Sequence, residues 1–206
     1  MQRYFITGIG TEVGKTVASA IVTEALQADY WKPIQAGDLE YSDTDKVQDL
    51  ISNSKTHFHE NVYALNTPMS PHASAEIDNV TIKSESIKTP ETLNLLVVEG
   101  AGGILVPLSD TETILDLIKP TDKVILVSRH YLGSINHTLL SAEILKAKGI
   151  HNVAILFNGD EHPTTESIIK KMTGFPILGR INNESEISKA VVSKYAQQLE
   201  QSLKAF

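Results

Sequence analysis

The chain has 206 residues, 41% hydrophobic and 21% charged, a composition that fits one compact globular domain able to bury a large core. It has no cysteine, which excludes disulfides, thiolate nucleophiles, Cys-based zinc or iron–sulfur sites and any cysteine-dependent amidotransferase step. Eighteen basic residues against 25 acidic ones leave a scattered net charge of −7, with no electrostatic footprint for nucleic acid or an anionic membrane.

In chain order, Tyr4–Ile6 reads as a strand, followed by a glycine loop and a helix over about Thr16 to Ala28. With the first strand so close to Met1, no signal peptide is expected, and the longest apolar runs are far shorter than the roughly 20 residues of a membrane span. The expected compartment is therefore the cytoplasm. Tyr30–Lys32 reads as a short second strand and Thr44–Ile51 as a helix. His57 and His59 flank Phe58 without a third ligand at useful spacing, so that segment reads as a solvated loop. Asn66–His72, rich in Pro and Ser, reads as a structured excursion.

Further strands are expected at Leu95–Val98, Val124–Val127, Val153–Phe157 and Ile177–Leu178. Helices are expected near Asn136–Lys148, Thr164–Met172 and Ser185–Leu203. Strands apolar on both faces, alternating with helices, predict an α/β fold: a single domain over residues 1–206, with a mostly parallel sheet covered on both sides. In such sheets ligands bind beyond the carboxyl ends of the strands, where the small and polar residues of this sequence collect.

The sharpest signal there is Gly14-Lys15-Thr16 between a strand and a helix. Loop N–H groups and a helix N-terminus suit a phosphate, the lysine suits its terminal oxygens, and the threonine hydroxyl suits a magnesium ion. Gly8 stands six residues before Gly14 rather than the usual five, so the loop is a variant. Glu99, closing an apolar strand before several glycines, suits a metal-facing carboxylate. Asp43 and Asp45 offer a second carboxylate or, equally, a helix cap. Lys32 ends a strand at the ligand rim. His72 and His137 suit either the cleft wall or purely structural roles.

Three classes of phosphate-binding protein compete. Small-molecule kinases hold the phosphoryl group with several arginines, whereas this chain has only Arg3, Arg129 and Arg180. Partition-type ATPase switches carry an extra lysine in the phosphate loop, at the place taken here by Gly10. An ATP-dependent ligase using magnesium and two lysines is the third class.

The blocks Gly10–Thr16, Lys32-Pro33, Ser42-Asp43, Ser70–His72, Val98–Gly103, Leu132–His137 and Asn158 together resemble the dethiobiotin synthetase family, a P-loop NTPase-like fold. The resemblance implies conversion of 7,8-diaminononanoate, CO₂ and ATP to dethiobiotin, through a carbamate and its mixed anhydride with phosphate. It implies Lys15 and Lys32 as catalytic residues and Mg²⁺ held by Thr16, Asp43 and Glu99. Nucleotide contacts are implied for Glu12, Val13, Gly14, Lys15, Thr16, Val17, Asp43, Glu99, Gly100, Ala101, Gly102 and Asn158, the last at the adenine. Substrate contacts are implied for Thr11, Lys32, Ala36, Gly133, Ser134 and Asn136, with the loop Leu132–Asn136 supplied by the other subunit of a homodimer. No nucleic-acid or membrane partner is implied. The chain departs from the family in having Ala36 in place of a hydroxyl residue, Asn182 in place of Ile-Pro, and a short link from the first helix to Lys32.

Overall fold

The computed structural model describes residues 1–206. The first strand, β1 (Arg3–Gly8), is buried at every position. It leads through the glycine loop into α1 (Lys15–Leu26), which ends at Gln27 in the left-handed region. Then follow β2 (Asp29–Trp31), β3 (Ile34–Ala36), α2 (Asp43–Leu50), β4 (Phe58–His59), β5 (Tyr63–Leu65) and α3 (Pro71–Ile77). Two strands, β6 (Leu96–Gly103) and β7 (Lys123–Arg129), come next, and the chain then alternates through α4 (Ser134–Ala147), β8 (Val153–Asn158), α5 (Pro163–Thr173), β9 (Ile177–Ile181) and α6 (Lys189–Ala205).

Seven strands form one parallel sheet in the order β4-β2-β6-β1-β7-β8-β9, and β3 pairs with β5 in a separate parallel ribbon. The apolar runs predicted as two-sided strands are just that. Phe5, Ile6, Leu96 to Val98, Val124 to Val127 and Ala154 to Leu156 are almost wholly buried, within one cluster of 47 apolar residues. Each such side chain contributes about 1.5–3 kcal/mol relative to exposure. β1 lies between β6 and β7, so chain order reverses around it. The loop after β1 thus opens into the crevice where ligands of such sheets bind.

Several expectations are corrected. His57–His59 is not a solvated loop: Phe58 and His59 form edge strand β4, paired to Tyr30 and Trp31. Asp29 anchors this edge by accepting the His57 N–H at 3.1 Å. The third expected strand does not stop at Val98 but continues as β6 through Gly103. Ser185–Ser188 lies outside the last helix, whose N-cap is Ser188 accepting from the Val191 N–H at 3.4 Å. The excursion at Asn66–His72 runs into α3, with Pro71 in its first turn.

Candidate functional site: a phosphate loop with two buried lysines

The glycine loop closes tightly on β1. A Cβ at Gly8 would come within 2.4 Å of Val13 Cγ2, so the loop folds back onto the end of β1 at this position. Gly14 caps α1 at φ 90°, and a Cβ there would meet Asn158 Nδ2 at 2.3 Å. Only glycine meets both demands. Glu12 adopts φ 56°, an uncommon conformation for a non-glycine residue, with its carbonyl accepting from Arg129 at 3.1 Å. The loop is thus held from the far strands: Asn158, at the end of β8, donates Nδ2–H to the Val13 carbonyl at 2.8 Å.

Strand register assembles the other wall. Tyr30 lies opposite Val97 and Trp31 opposite Val98, so the next residue, Lys32, falls beside Glu99. Side chains two apart share a face, which brings Tyr30 and Lys32 to the same carboxylate. Glu99 Oε1 accepts from Lys32 Nζ at 3.1 Å and from Thr16 Oγ1 at 3.0 Å; Glu99 Oε2 accepts from the Tyr30 hydroxyl at 2.9 Å. Lys32 also pairs with Asp43. Between Ile6 and Gly8 the register against β6 jumps from Glu99 to Gly103, and this bulge carries Ala101 and Gly102 over the loop.

Asp43 and Asp45 divide their work. Asp45 completes a capping box with Ser42, accepting the Ser42 N–H at 2.8 Å, which leaves Asp43 to face the lysine. Gln35 fixes Asp43 in turn: its Oε1 accepts the Asp43 N–H at 3.3 Å, while its Nε2 donates to the Gly37 carbonyl at 2.9 Å. Lys46 reaches Asp43 at 3.4 Å from the next turn of α2.

Burial governs the charges. It pushes the Lys15 ammonium down to about 8, with Glu99 opposing the shift. Burial would likewise depress Lys32, but Glu99 and Asp43 outweigh it and its pKa is raised. Burial disfavours charge on Asp43, yet Lys32 and then Lys46 hold its pKa below the usual range. Tyr30 is driven well above its ordinary value by burial and by Glu99, so it stays a neutral donor.

Lys15, Thr16, Lys32, Asp43 and Glu99 line one cavity of about 700 Å³. Of the residues expected there, Thr11, Glu12, Gly14 to Val17, Lys32, Ala36, Asp43, Glu99, Ala101 and Gly102 line it. Val13 is buried beneath the loop and contributes its carbonyl to Asn158. Gly100 faces Phe5 and Ile114 in the core. Gly133, Ser134, Asn136 and Asn158 stand outside the cavity lining, Asn158 being tied to it through the Val13 carbonyl, and Lys15 turns its ammonium to the Gly10 carbonyl at 3.0 Å. Sequence reasoning missed Tyr30 as a partner of Glu99, and the cavity wall formed by Pro68 to Pro71. Of the other histidines, His72 pairs with Ser70 at 3.0 Å. His137 receives or donates a 2.7 Å hydrogen bond with Tyr131.

A hydroxyl and two carboxylates form an oxygen-only donor set, as a hard divalent cation requires.

Strand order, phosphate loop and cavity define a P-loop nucleotide-binding α/β protein. A family profile described as an AAA domain matches residues 2–191. The fold is similar to a ParA family ATPase from Chlorobium tepidum TLS, with TM-score 0.58, 14% identity and coverage of 99% of this chain and 92% of that one. It is also similar to the MinC:MinD cell division protein complex of Aquifex aeolicus, with TM-score 0.59, 14% identity and coverage of 100% and 96%. At that identity the likeness is one of fold alone. In sequence, the chain is 62% identical to the ATP-dependent dethiobiotin synthetase BioD of Christiangramia forsetii, over 97% of each chain. It is 49% identical to that of Cytophaga hutchinsonii, again over 97% of each. The chain belongs to the ATP-dependent dethiobiotin synthetase family.

Proposed function

We infer that the chain is an ATP-dependent ligase that closes the ureido ring of dethiobiotin from 7,8-diaminononanoate, CO₂ and ATP. What supports the reading is the convergence of Lys15, Lys32, Thr16, Asp43 and Glu99 on one cavity, in a chain 62% identical to a relative of that name. The chemistry needs no protein nucleophile. A substrate amine and CO₂ form a carbamate, whose oxygen attacks the γ-phosphorus of ATP as ADP leaves. The neighbouring amine then attacks the activated carbonyl, expelling phosphate and losing a proton. Each step is mainly a matter of positioning and charge stabilisation.

In this reading the loop amides and Lys15 hold the β- and γ-phosphates. Lys32, kept cationic by its two carboxylates, stabilises the carbamate and the transferring phosphoryl group. Thr16, Asp43 and Glu99 would hold Mg²⁺, which when bound neutralises charge on the phosphates. Thr11 and the Ala36 region border the diamine. Asn158 reads the base: with one Nδ2–H on Val13, its Oδ1 and second N–H are left to match the amino and N7 positions of adenine.

A homodimer with shared sites accounts for the apolar surface. Leu132 is fully exposed, and Leu105 and Leu140 are more than half exposed. The last two border a second groove of about 440 Å³ that shares Thr11 and Val106 with the first cavity. A partner covering this face would bring its Gly133, Ser134 and Asn136 towards the diamine. No helix is long and apolar enough to cross a membrane.

The deciding assay is ADP release that requires diaminononanoate and bicarbonate together. Release driven by DNA or a protein partner would favour a switch, and a phosphorylated product would favour a kinase.

A further inference from the structure

We propose that Arg180 is a positioning residue for nucleobase selection: it fixes the turn that directly follows Asn158, and so rests on the reading of Asn158 as the base-contacting residue. Asn158 is the last residue of β8, followed directly by Gly159 at φ 104°. A side chain at the end of a strand, before a glycine in the left-handed region, is only as well aimed as the turn that follows it.

Arg180, on the neighbouring strand β9, holds that turn. One guanidinium nitrogen donates to the carbonyls of both Gly159 and Asp160, each at 3.2 Å. The other pairs with Glu166 on α5. Glu166 in turn accepts the His162 N–H at 2.9 Å and contacts His130 Nε2 at 3.0 Å, closing a brace between the turn and the first turn of α5. The Gly159 N–H donates to the Ile181 carbonyl at 2.8 Å, so β9 holds both backbone edges of the turn. The guanidinium also lies 5.9 Å from the Phe157 ring, which limits its swing.

The arrangement needs arginine. A planar fork can satisfy two carbonyls and a carboxylate at once, whereas an ammonium on a flexible stem cannot hold all three in fixed directions. Since Asn158 also grips the Val13 carbonyl, a loosened turn lets its amide rotate relative to the phosphate loop. The base edge then loses alignment while phosphate binding persists.

The test compares Arg180→Met, Arg180→Lys and Asn158→Ala in steady-state kinetics with ATP and with CTP. Arg180→Met is expected to raise KM for ATP by about fivefold or more, with kcat within about twofold and KM for the diamine unchanged. The ratio of kcat/KM for ATP over CTP should fall by about fivefold or more, with Arg180→Lys intermediate. A merely structural arginine would lower Tm and depress both nucleotides equally. Should the Met variant fail to fold, the Lys variant, which keeps the charge opposite Glu166, carries the test. An unchanged selectivity ratio in the Arg180 variants, with a reduced one in Asn158→Ala, overturns the positioning role alone. An unchanged ratio in Asn158→Ala overturns the reading of Asn158 and the role of Arg180 with it.

Discussion

The Lys32 ammonium lies 3.1 Å from Glu99 on the adjacent parallel strand, with the two side chains only 6% and 0% exposed. Buried charges of this kind are costly to hold, and removal of one partner typically costs about 3–5 kcal/mol because the other is left unpaired. Lys32→Ala is therefore expected to lose stability as well as activity, and Lys32→Met, which keeps the buried stem, serves as the control for folding. Lys32→Ala should lose at least about 100-fold in turnover, equivalent to about 3 kcal/mol at the transition state, while still binding nucleotide. Lys15→Ala should lose nucleotide binding and turnover together. Calorimetric titration of ATP beside the turnover assay separates the two, and near-normal turnover in the Lys32 variant would remove it from the mechanism.

Tyr30 is the neutral third partner of this carboxylate. Tyr30→Phe leaves the ring packed but deprives Glu99 Oε2 of its donor, so about 1–2 kcal/mol of stability should be lost. A rise in the magnesium concentration needed for half-maximal turnover should accompany it, because Glu99 is then held only through Oε1, by Lys32 and Thr16. A magnesium dependence identical to the parent would show that Tyr30 only fills the core.

His130 is packed against Phe157 and faces Glu166, His162 and Arg180. Burial lowers its pKa, with Glu166 opposing and His162 and Arg180 assisting. Since the unfolded chain then binds more protons than the folded one, stability falls as pH drops below about 6.5 towards the folded value. Thermal unfolding between about pH 7 and pH 5 should show Tm falling, with a shallower slope in His130→Gln. His59, also lowered by burial and by His57, leaves a residual slope. Parallel slopes in parent and variant would mean that His130 does not titrate in this range.

The shared-site dimer is tested by mixing chains. If Lys15 comes from one subunit and Asn136 from its partner, a heterodimer of Lys15→Ala and Asn136→Ala chains has one doubly damaged site and one intact site. Random assortment makes about half of all dimers mixed, so about a quarter of parental activity should return on co-expression. No recovery despite verified heterodimers would place both residues in one chain's site and leave the ATP chemistry untouched.

The sequence by itself determined the parallel α/β fold, since unbroken apolar runs such as Val153–Phe157 can be buried on both faces only between helices. It also determined the phosphate loop, because strand, glycines, Lys15 and Thr16 are contiguous and their chemistry is local. What it left open were the contacts made across strands. Glu99 and Lys32 are 67 residues apart, and Tyr30 joins them only through the register of β2 against β6. The same holds for edge strand β4, whose two residues carry too little pattern to announce pairing. Asp43 and Asp45 are indistinguishable by type and spacing alone; the capping box and Gln35 decided which of them faces Lys32. In the sequence Arg180 is only one of three arginines, lying beyond the expected strand Ile177–Leu178; the packing of β9 beside β8 set its guanidinium against the Gly159–Asp160 turn. Periodicity and contiguous motifs report the local conformational preferences of the chain. Register and side-chain direction are fixed only when distant strands pair, because that is when their burial and hydrogen bonds are formed.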